Sequence, residues 1–393
     1  MEFENWWLLV IPIAFALGWF AARMERKSSK VLPTGLPDAY FKGLNFLLNE
    51  QSDKAVDAFI DVVKLEPETI ELHFALGNLF RRRGETDRAI RVHENLVSRT
   101  TLTSAQRSHA LFELGQDYLK AGLLDRADDT FAKLEGSEYA NAALRLRLDS
   151  AQMVKDWPLA LSHLDKMTES DGLSSLRAHF HCEIAQQALN SDLTDRFDRA
   201  MVAIDLALQV DPEHIRAHLM KGQVFLAQGL EADAALTWAW VHQHAPGHLA
   251  LVIKQWADLQ CNGGQYDLAI SALETLLVKA RSADAFGALV GLREKRDGSE
   301  AALLWAHGVL HKEPSLLGLE SYLRAETNAG LAGESNKDAQ LLGALVKHQS
   351  ARASRYVCGN CGFKARQYYW QCPGCNRWDS YSPKRLEDLK IDA

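Results

Sequence analysis

Cysteine is almost missing from this chain of 393 residues except at one place, because four of the six fall between positions 358 and 375. That excludes a disulfide framework spread along the chain and indicates one local site. Positive charge is also in deficit: 44 Lys and Arg against 51 Asp and Glu leave a net charge of -7. No overall positive field draws phosphates, which argues against a general nucleic-acid binder. No flavin or nicotinamide fingerprint occurs, and no group of residues resembles a catalytic centre. Otherwise the composition, 47% apolar and 24% charged, is that of an ordinary folded protein with room for two or more domains.

Charge is absent again from residues 6 to 22, which run Trp-Trp-Leu-Leu-Val-Ile-Pro-Ile-Ala-Phe-Ala-Leu-Gly-Trp-Phe-Ala-Ala. About 17 to 25 apolar residues span a hydrocarbon core, so residues 1–22 are expected to form a transmembrane anchor. Trp6, Trp7 and Trp19 suit the membrane interfaces. A cleaved signal peptide is the competing reading, with Ala14-Phe15-Ala16 as a cleavage site, but it needs a basic start, and Glu2 and Glu4 stand there instead. Arg23, Arg26, Lys27 and Lys30 follow the run, which puts the N-terminus outside and the rest of the chain in the cytoplasm. Residues 23–38, with Pro33, Gly35 and Pro37, read as a juxtamembrane linker.

One pattern then repeats along most of the chain. It is clearest as Gly77-Asn78-Leu79-Phe80 followed by Gly84-Glu85-Thr86-Asp87-Arg88-Ala89-Ile90. Its small anchor residue recurs at Ala55, Ala89, Ala127, Ala160, Ala200, Ala234, Ala269 and Ala302, in steps of 34, 38, 33, 40, 34, 35 and 33. A period near 34 with small residues at fixed offsets resembles the tetratricopeptide repeat, an array of helical hairpins. Gly43, Gly77, Gly115 and Gly222 let the first helix of a pair approach the second. Phe59, Phe131, Ile204, Trp238 and Leu273, four residues after an anchor, cover the seam. Acids two before the anchors favour helix N-termini, and Pro67, Pro212, Pro246 and Pro314 stop the second helices. Residues 39–348 are therefore expected to form an all-α superhelical solenoid ending in a cap at about 316–348. Such stacks present long surfaces to peptides or proteins. The residues do not single out a partner-binding face and leave open whether the chain forms a homodimer.

Three clusters inside the array have a bland reading. Cys182 in His179-Phe180-His181-Cys182 suits a core position, with the histidines on a helix face. His242, His244 and His248 surround Pro246 in a surface turn. Arg81-Arg82-Arg83 makes a solvated helix end that complements the dipole.

Near the C-terminal end Cys358, Cys361, Cys372 and Cys375 have the spacing C-x2-C-x10-C-x2-C. Two such turns facing each other give a tetrathiolate site for one metal ion, and thiolate softness suits iron or zinc. The Cys-Pro-x-Cys turn and the aromatics Tyr356, Phe363, Tyr368, Tyr369, Trp370 and Trp378 resemble a minimal rubredoxin-like domain over residues 352–383. Electron transfer is one reading of such a site. A structural staple docked on the helices is favoured, since no partner cofactor site accompanies it.

The order anchor, array, knuckle and the stretches Gly43-Leu44-Asn45-Phe46-Leu47-Leu48, Leu76-Gly77-Asn78-Leu79-Phe80-Arg81 and Tyr368-Tyr369-Trp370-Gln371-Cys372-Pro373 are similar to the lipopolysaccharide assembly protein B family. The resemblance implies a non-enzymatic, single-pass protein of the bacterial inner membrane, with a periplasmic N-terminus. It implies an adaptor that promotes degradation of the LpxC deacetylase by the FtsH protease and gathers lipopolysaccharide synthesis or export proteins. It also implies that the four cysteines are the metal ligands. A general assembly scaffold is the alternative, and a redox protein a further one.

Overall fold

The computed structural model describes residues 69–167, 172–280, 282–329, 334–352 and 356–385, with a few isolated positions ahead of Thr69. The expected anchor, the linker and most of the first repeat lie outside the described residues. Of the anchor only Leu17 and Trp19 are described, both helical and exposed. Among the described residues no helix is long and apolar enough to cross a membrane.

The chain divides after Asp156 into two compact units. The first holds α1 (Ile70–Arg82), α2 (Thr86–Ser98), α3 (Ser104–Ala121), α4 (Leu124–Ala132) and α5 (Ala140–Val154). The second opens with α6 (Trp157–Leu164), α7 (Leu173–Leu189), α8 (Arg196–Val210), α9 (Ile215–Ala227) and α10 (Glu231–His244). A 3-10 turn (Pro246–Leu251) leads into α11 (Ile253–Asn262), α12 (Tyr266–Ala280), α13 (Ala283–Asp297), α14 (Ser299–Lys312), α15 (Leu316–Asn328) and α16 (Glu334–Arg352). Two short strands, β1 (Tyr356–Val357) and β2 (Lys364–Ala365), follow. This is a tetratricopeptide-type array of helix pairs with a small C-terminal knuckle.

The repeat pattern has a direct steric basis. Ala89, Ala127, Ala160, Ala200, Ala234, Ala269 and Ala302 are all fully buried. A methyl group added at Gly77, Gly115 or Gly222 would overlap His93, Phe131 or Trp238 of the neighbouring helix. Each of those side chains lies four residues after its anchor alanine and fills the space the glycine leaves. Pro212, Pro246 and Pro314 follow the ends of α8, α10 and α14 within two residues.

The turn inside a pair has the same form in four of the described pairs. Gly84, Gly122, Gly229 and Gly264 adopt φ of 79°, 77°, 78° and 73°. After each, the next amide bonds back to a carbonyl in the last turn of the helix, as from Glu85 to Phe80 at 2.9 Å and from Leu123 to Tyr118 at 2.8 Å. This is the left-handed helix stop that glycine makes without steric cost. In the degenerate fourth repeat Lys155 holds this place at φ 59°, with the Asp156 amide bonded to Ala151 at 3.0 Å.

Arg81 departs from the solvated reading of the Arg81–Arg83 run. Arg82 and Arg83 are exposed. Arg81 instead donates to Asp117 at 2.9 Å, to Asn78 at 2.7 Å and to Glu113 at 2.5 Å. Asp117 is fully buried and also accepts from His93 Nδ1 at 2.5 Å. Burial pushes the Glu113 carboxyl up, but bonds from His109 and Arg81 prevail and bring it down to about 2. The reason is position: Arg81 sits on the α1 side that packs toward α3, so its charge is paired rather than hydrated.

Two outcomes are expected. Arg81→Met leaves two buried carboxylates without their cation and should cost about 3–5 kcal/mol, against less than about 0.5 kcal/mol for Arg82→Met, in urea unfolding. Lys155→Gly removes a left-handed side chain and should raise stability by about 1 kcal/mol in the same assay.

Candidate metal centre

β1 pairs antiparallel with β2, placing Tyr356 opposite Ala365 and Val357 opposite Lys364. Cys358 and Cys361 lie in the turn of this hairpin. Cys372 and Cys375 lie in a second turn, closed by a bridge from Gln371 to Trp378, and a further bridge joins Cys358 of the first turn to Tyr381. The two turns are built alike. The fourth residue after the first cysteine bonds back to it, Gly362 to Cys358 at 3.0 Å and Asn376 to Cys372 at 2.8 Å. Both of those residues are left-handed, at φ 74° and 56°. Two amides, Asn360 N and Gly374 N, point at the Cys358 and Cys372 sulfurs from 3.4 Å.

The four sulfurs lie within 4.8 Å of one another. Cys358 is 3.8 Å from Cys375, and Cys361 is 3.7 Å from Cys372. Four sulfurs at about 2.3 Å from a central ion would be about 3.8 Å apart, so the site fits tetrathiolate coordination. A hydrogen bond with Ser380, helped by amides of the turn, brings the Cys358 thiol down to about 6. The Asn360 side chain, 3.4 Å from Cys375, lowers that thiol as well. Both effects favour the thiolate, the form that ligates metal, at Cys358 and Cys375; at Cys361 the Phe363 amide also pulls down, but burial and the three neighbouring thiols push it up to about 12. The donor set suits iron and zinc alike.

The knuckle is docked on the helices of its own unit. Trp378 stacks on His179 of α7 at 4.6 Å and meets Trp157 and Phe180 edge-on at 6.2 and 6.0 Å. His179, 1% exposed, meets Asp379 with Nε2 2.7 Å from Oδ2, across 200 positions of sequence. An ionised carboxylate only accepts, so Nε2 carries the proton. His214 stands edge-on to His179 at 4.4 Å. Arg216, buried and paired with Glu183 at 2.8 Å, lies over Trp370 and Trp378 at 5.8 and 6.0 Å. His248 stacks on Trp370 at 6.0 Å. Arg385 reaches Asp284 at 2.9 Å and the Tyr356 hydroxyl at 3.3 Å.

The histidines therefore differ from the bland reading. Cys182 is a core residue as expected, its thiol pushed up to about 12 by burial. His179 is a dock residue. In the expected surface turn, His244 is exposed, but His242 packs on Trp256 and His248 on the knuckle. His179, His214, Arg216, Asp379 and Arg385 carry no local pattern, because their partners are distant in sequence. The one available hint was an acid beside a tryptophan just beyond the second cysteine pair.

Helix pairs bearing a tetrathiolate knuckle define a tetratricopeptide-repeat protein with a rubredoxin-type metal-binding module. Residues 356–383 match the family described as rubredoxin metal binding domain, and residues 72–107 match the tetratricopeptide repeat. The chain belongs to the lipopolysaccharide assembly protein B family. It is 33% identical over 381 residues to lipopolysaccharide assembly protein B of Escherichia coli (strain K12), covering 96% of this chain and 97% of that one. The Haemophilus influenzae protein of the same name is 29% identical over 391 residues, covering 95% and 97%. Among solved structures, the TPR2AB domain of yeast Sti1 aligns over 73% of this chain and 97% of its own, at 13% identity and a TM-score of 0.34.

The dock should be acid-labile. Burial holds His214 neutral, with its pKa lowered to about 3 from 6.5. Below pH 6.5 the unfolded chain takes up a proton that the folded one refuses, so stability falls as pH drops from about 6.5 toward 3. The urea midpoint for unfolding of the second unit should decrease between pH 7.5 and 5, and His214→Gln should flatten that slope. Asp379→Ala should loosen the knuckle by about 1–3 kcal/mol while leaving the four sulfurs in place, read as faster proteolysis after Arg352 with metal content unchanged.

Proposed function

We propose that the chain is a non-enzymatic adaptor in lipopolysaccharide assembly. Residues 1–22 anchor it in the bacterial inner membrane with the N-terminus periplasmic, and the bulk of the chain works in the cytoplasm. The array over residues 39–348 is the partner-binding scaffold. Cys358, Cys361, Cys372 and Cys375 hold one iron or zinc ion in a knuckle over residues 352–383.

The observation that carries this reading is the buried dock between knuckle and helices. A structural staple needs fixed contacts with the helices it holds, and Trp378, Asp379 and Arg385 bind the module to α6, α7 and α13. The knuckle's own buried set is small, comprising Tyr356, Cys358, Ala365, Cys372 and Tyr381. A module with so little core takes most of its folding energy from the metal, so the ion acts as a staple for the array. The family's name supplies the process, and the array supplies the means of gathering proteins. In the finer reading the array presents the LpxC deacetylase to the FtsH protease, which limits lipopolysaccharide synthesis. A membrane tether raises the effective concentration of such a surface beside a membrane protease.

Depletion of the protein should lengthen the half-life of LpxC in a chase experiment. An unchanged half-life would move the function to a general assembly scaffold. Cys372→Ser should abolish metal retention, undock the knuckle and lengthen the LpxC half-life as depletion does. Full activity without metal would end the staple reading.

A further inference from the structure

We infer that His307 and His311 form a second metal site, an exposed two-imidazole chelate for copper(II) on α14. The site stands apart from the four-cysteine centre and does not depend on the adaptor reading. The two histidines are four positions apart, so they share one face of the helix, one turn from each other. Both are exposed, with ring centres 4.5 Å apart and ring planes at 67°. Two histidines at this spacing on one helix face are also how the zinc metalloprotease motif holds its ion. Neither ring makes a hydrogen bond or ion pair among the described residues. Other accessible histidines are engaged: His218 with the Pro212 carbonyl and His244 with the Trp240 carbonyl, each at 2.9 Å, and His109 with Glu113 at 3.4 Å.

The separation of the rings selects the ion. A metal about 2.0 Å from one nitrogen of each ring, with its two bonds at right angles, sets the ring centres about 4.5 Å apart, whereas tetrahedral bonds set them about 5.2 Å apart. The observed 4.5 Å matches the right angle. Square-planar and tetragonal sites of nitrogen and oxygen ligands suit copper(II) and nickel(II), and copper(II) binds the more tightly of the two. The four thiolates are soft ligands that suit zinc or iron, so the two sites sort different ions.

The surroundings keep the rest of the coordination sphere open. Gly308 lies on the same face, one turn before Lys312 and beside His307, and a methyl group added there would meet nothing within 4 Å. Glycine inside a helix is unfavourable, and packing gives no reason for it here. Its bare surface leaves water free to fill the remaining positions on the ion. Tyr322 lies 6.3 Å from His307, and burial pushes its hydroxyl up, so it stays protonated and adds no anionic ligand. His311 is in the last turn of α14, where the carbonyl ends of the helix favour a cation. Lys312 is about 100° round the helix from His311, off the chelating face.

The test uses the full, untagged chain with zinc loaded in the four-cysteine site and copper(II) chloride as the probe, read by electron paramagnetic resonance. One equivalent should give a tetragonal spectrum split by two imidazole nitrogens, with the zinc content unchanged. His307→Gln and His311→Gln should each weaken binding at least about tenfold, because a single ring loses the partner that raises its effective ligand concentration. Without copper both variants should melt as the parent does. With copper only the parent should melt higher, since the ion binds the folded helix in preference to the unfolded chain. His218→Gln combined with His244→Gln should leave the spectrum and the affinity as they are. No bound copper, a spectrum that neither His307→Gln nor His311→Gln alters, or loss of binding in the His218 and His244 double variant would overturn the inference. So would sulfur ligation with release of zinc, which would place the copper in the knuckle.

Discussion

Two helices can bury a continuous apolar face only if their backbones come close, and a side chain on each at the crossing prevents it. The array answers this at the seams from Ala89 to Ala302. A fully buried alanine opens the second helix, and a glycine in several first helices faces a large residue four places beyond that alanine. Trp238 shows how the parts depend on one another. It fills the space that Gly222 leaves and donates its indole N–H to the Leu219 carbonyl at 3.2 Å. The left-handed glycines between the helices of a pair return the chain at the angle this packing requires. One steric rule thus accounts for the period, the small anchors and the turn residues together.

The knuckle applies a different solution to the same shortage of core. Its two cysteine turns repeat one construction, including a left-handed fourth residue that is Gly362 in one and Asn376 in the other. They aim four sulfurs at one point and leave a small, mostly aromatic set around it. What makes the module more than a local staple is the row beyond the second turn, Trp378 and Asp379. These place an indole and a carboxylate against His179, which is buried and cannot be hydrated. Arg385 continues the same contact onto α13 by pairing with Asp284. The four-cysteine site and its dock are therefore linked within one compact unit.

Much of this was legible beforehand. The helix pairs, the stops at Pro212, Pro246 and Pro314, and the pairing of four cysteines into one site follow from spacing, because each depends on residues near one another in sequence. The roles of Arg81 and His179 did not follow. Arg81 has the look of a solvated helix end, and only α3, more than 30 positions on, brings Glu113 and Asp117 to it. His179 resembles any histidine on a helix face until the knuckle folds back on it.

The sequence by itself determined the repeat, its close-packed seams and the gathering of four cysteines at one site, since sterics over one turn of helix and the geometry of two short turns are local constraints. Tertiary structure alone decided which charges are paired and which histidines are dry. Those properties depend on how much water and which partner charge surround a group. Such surroundings are assembled from segments as far apart as positions 179 and 379.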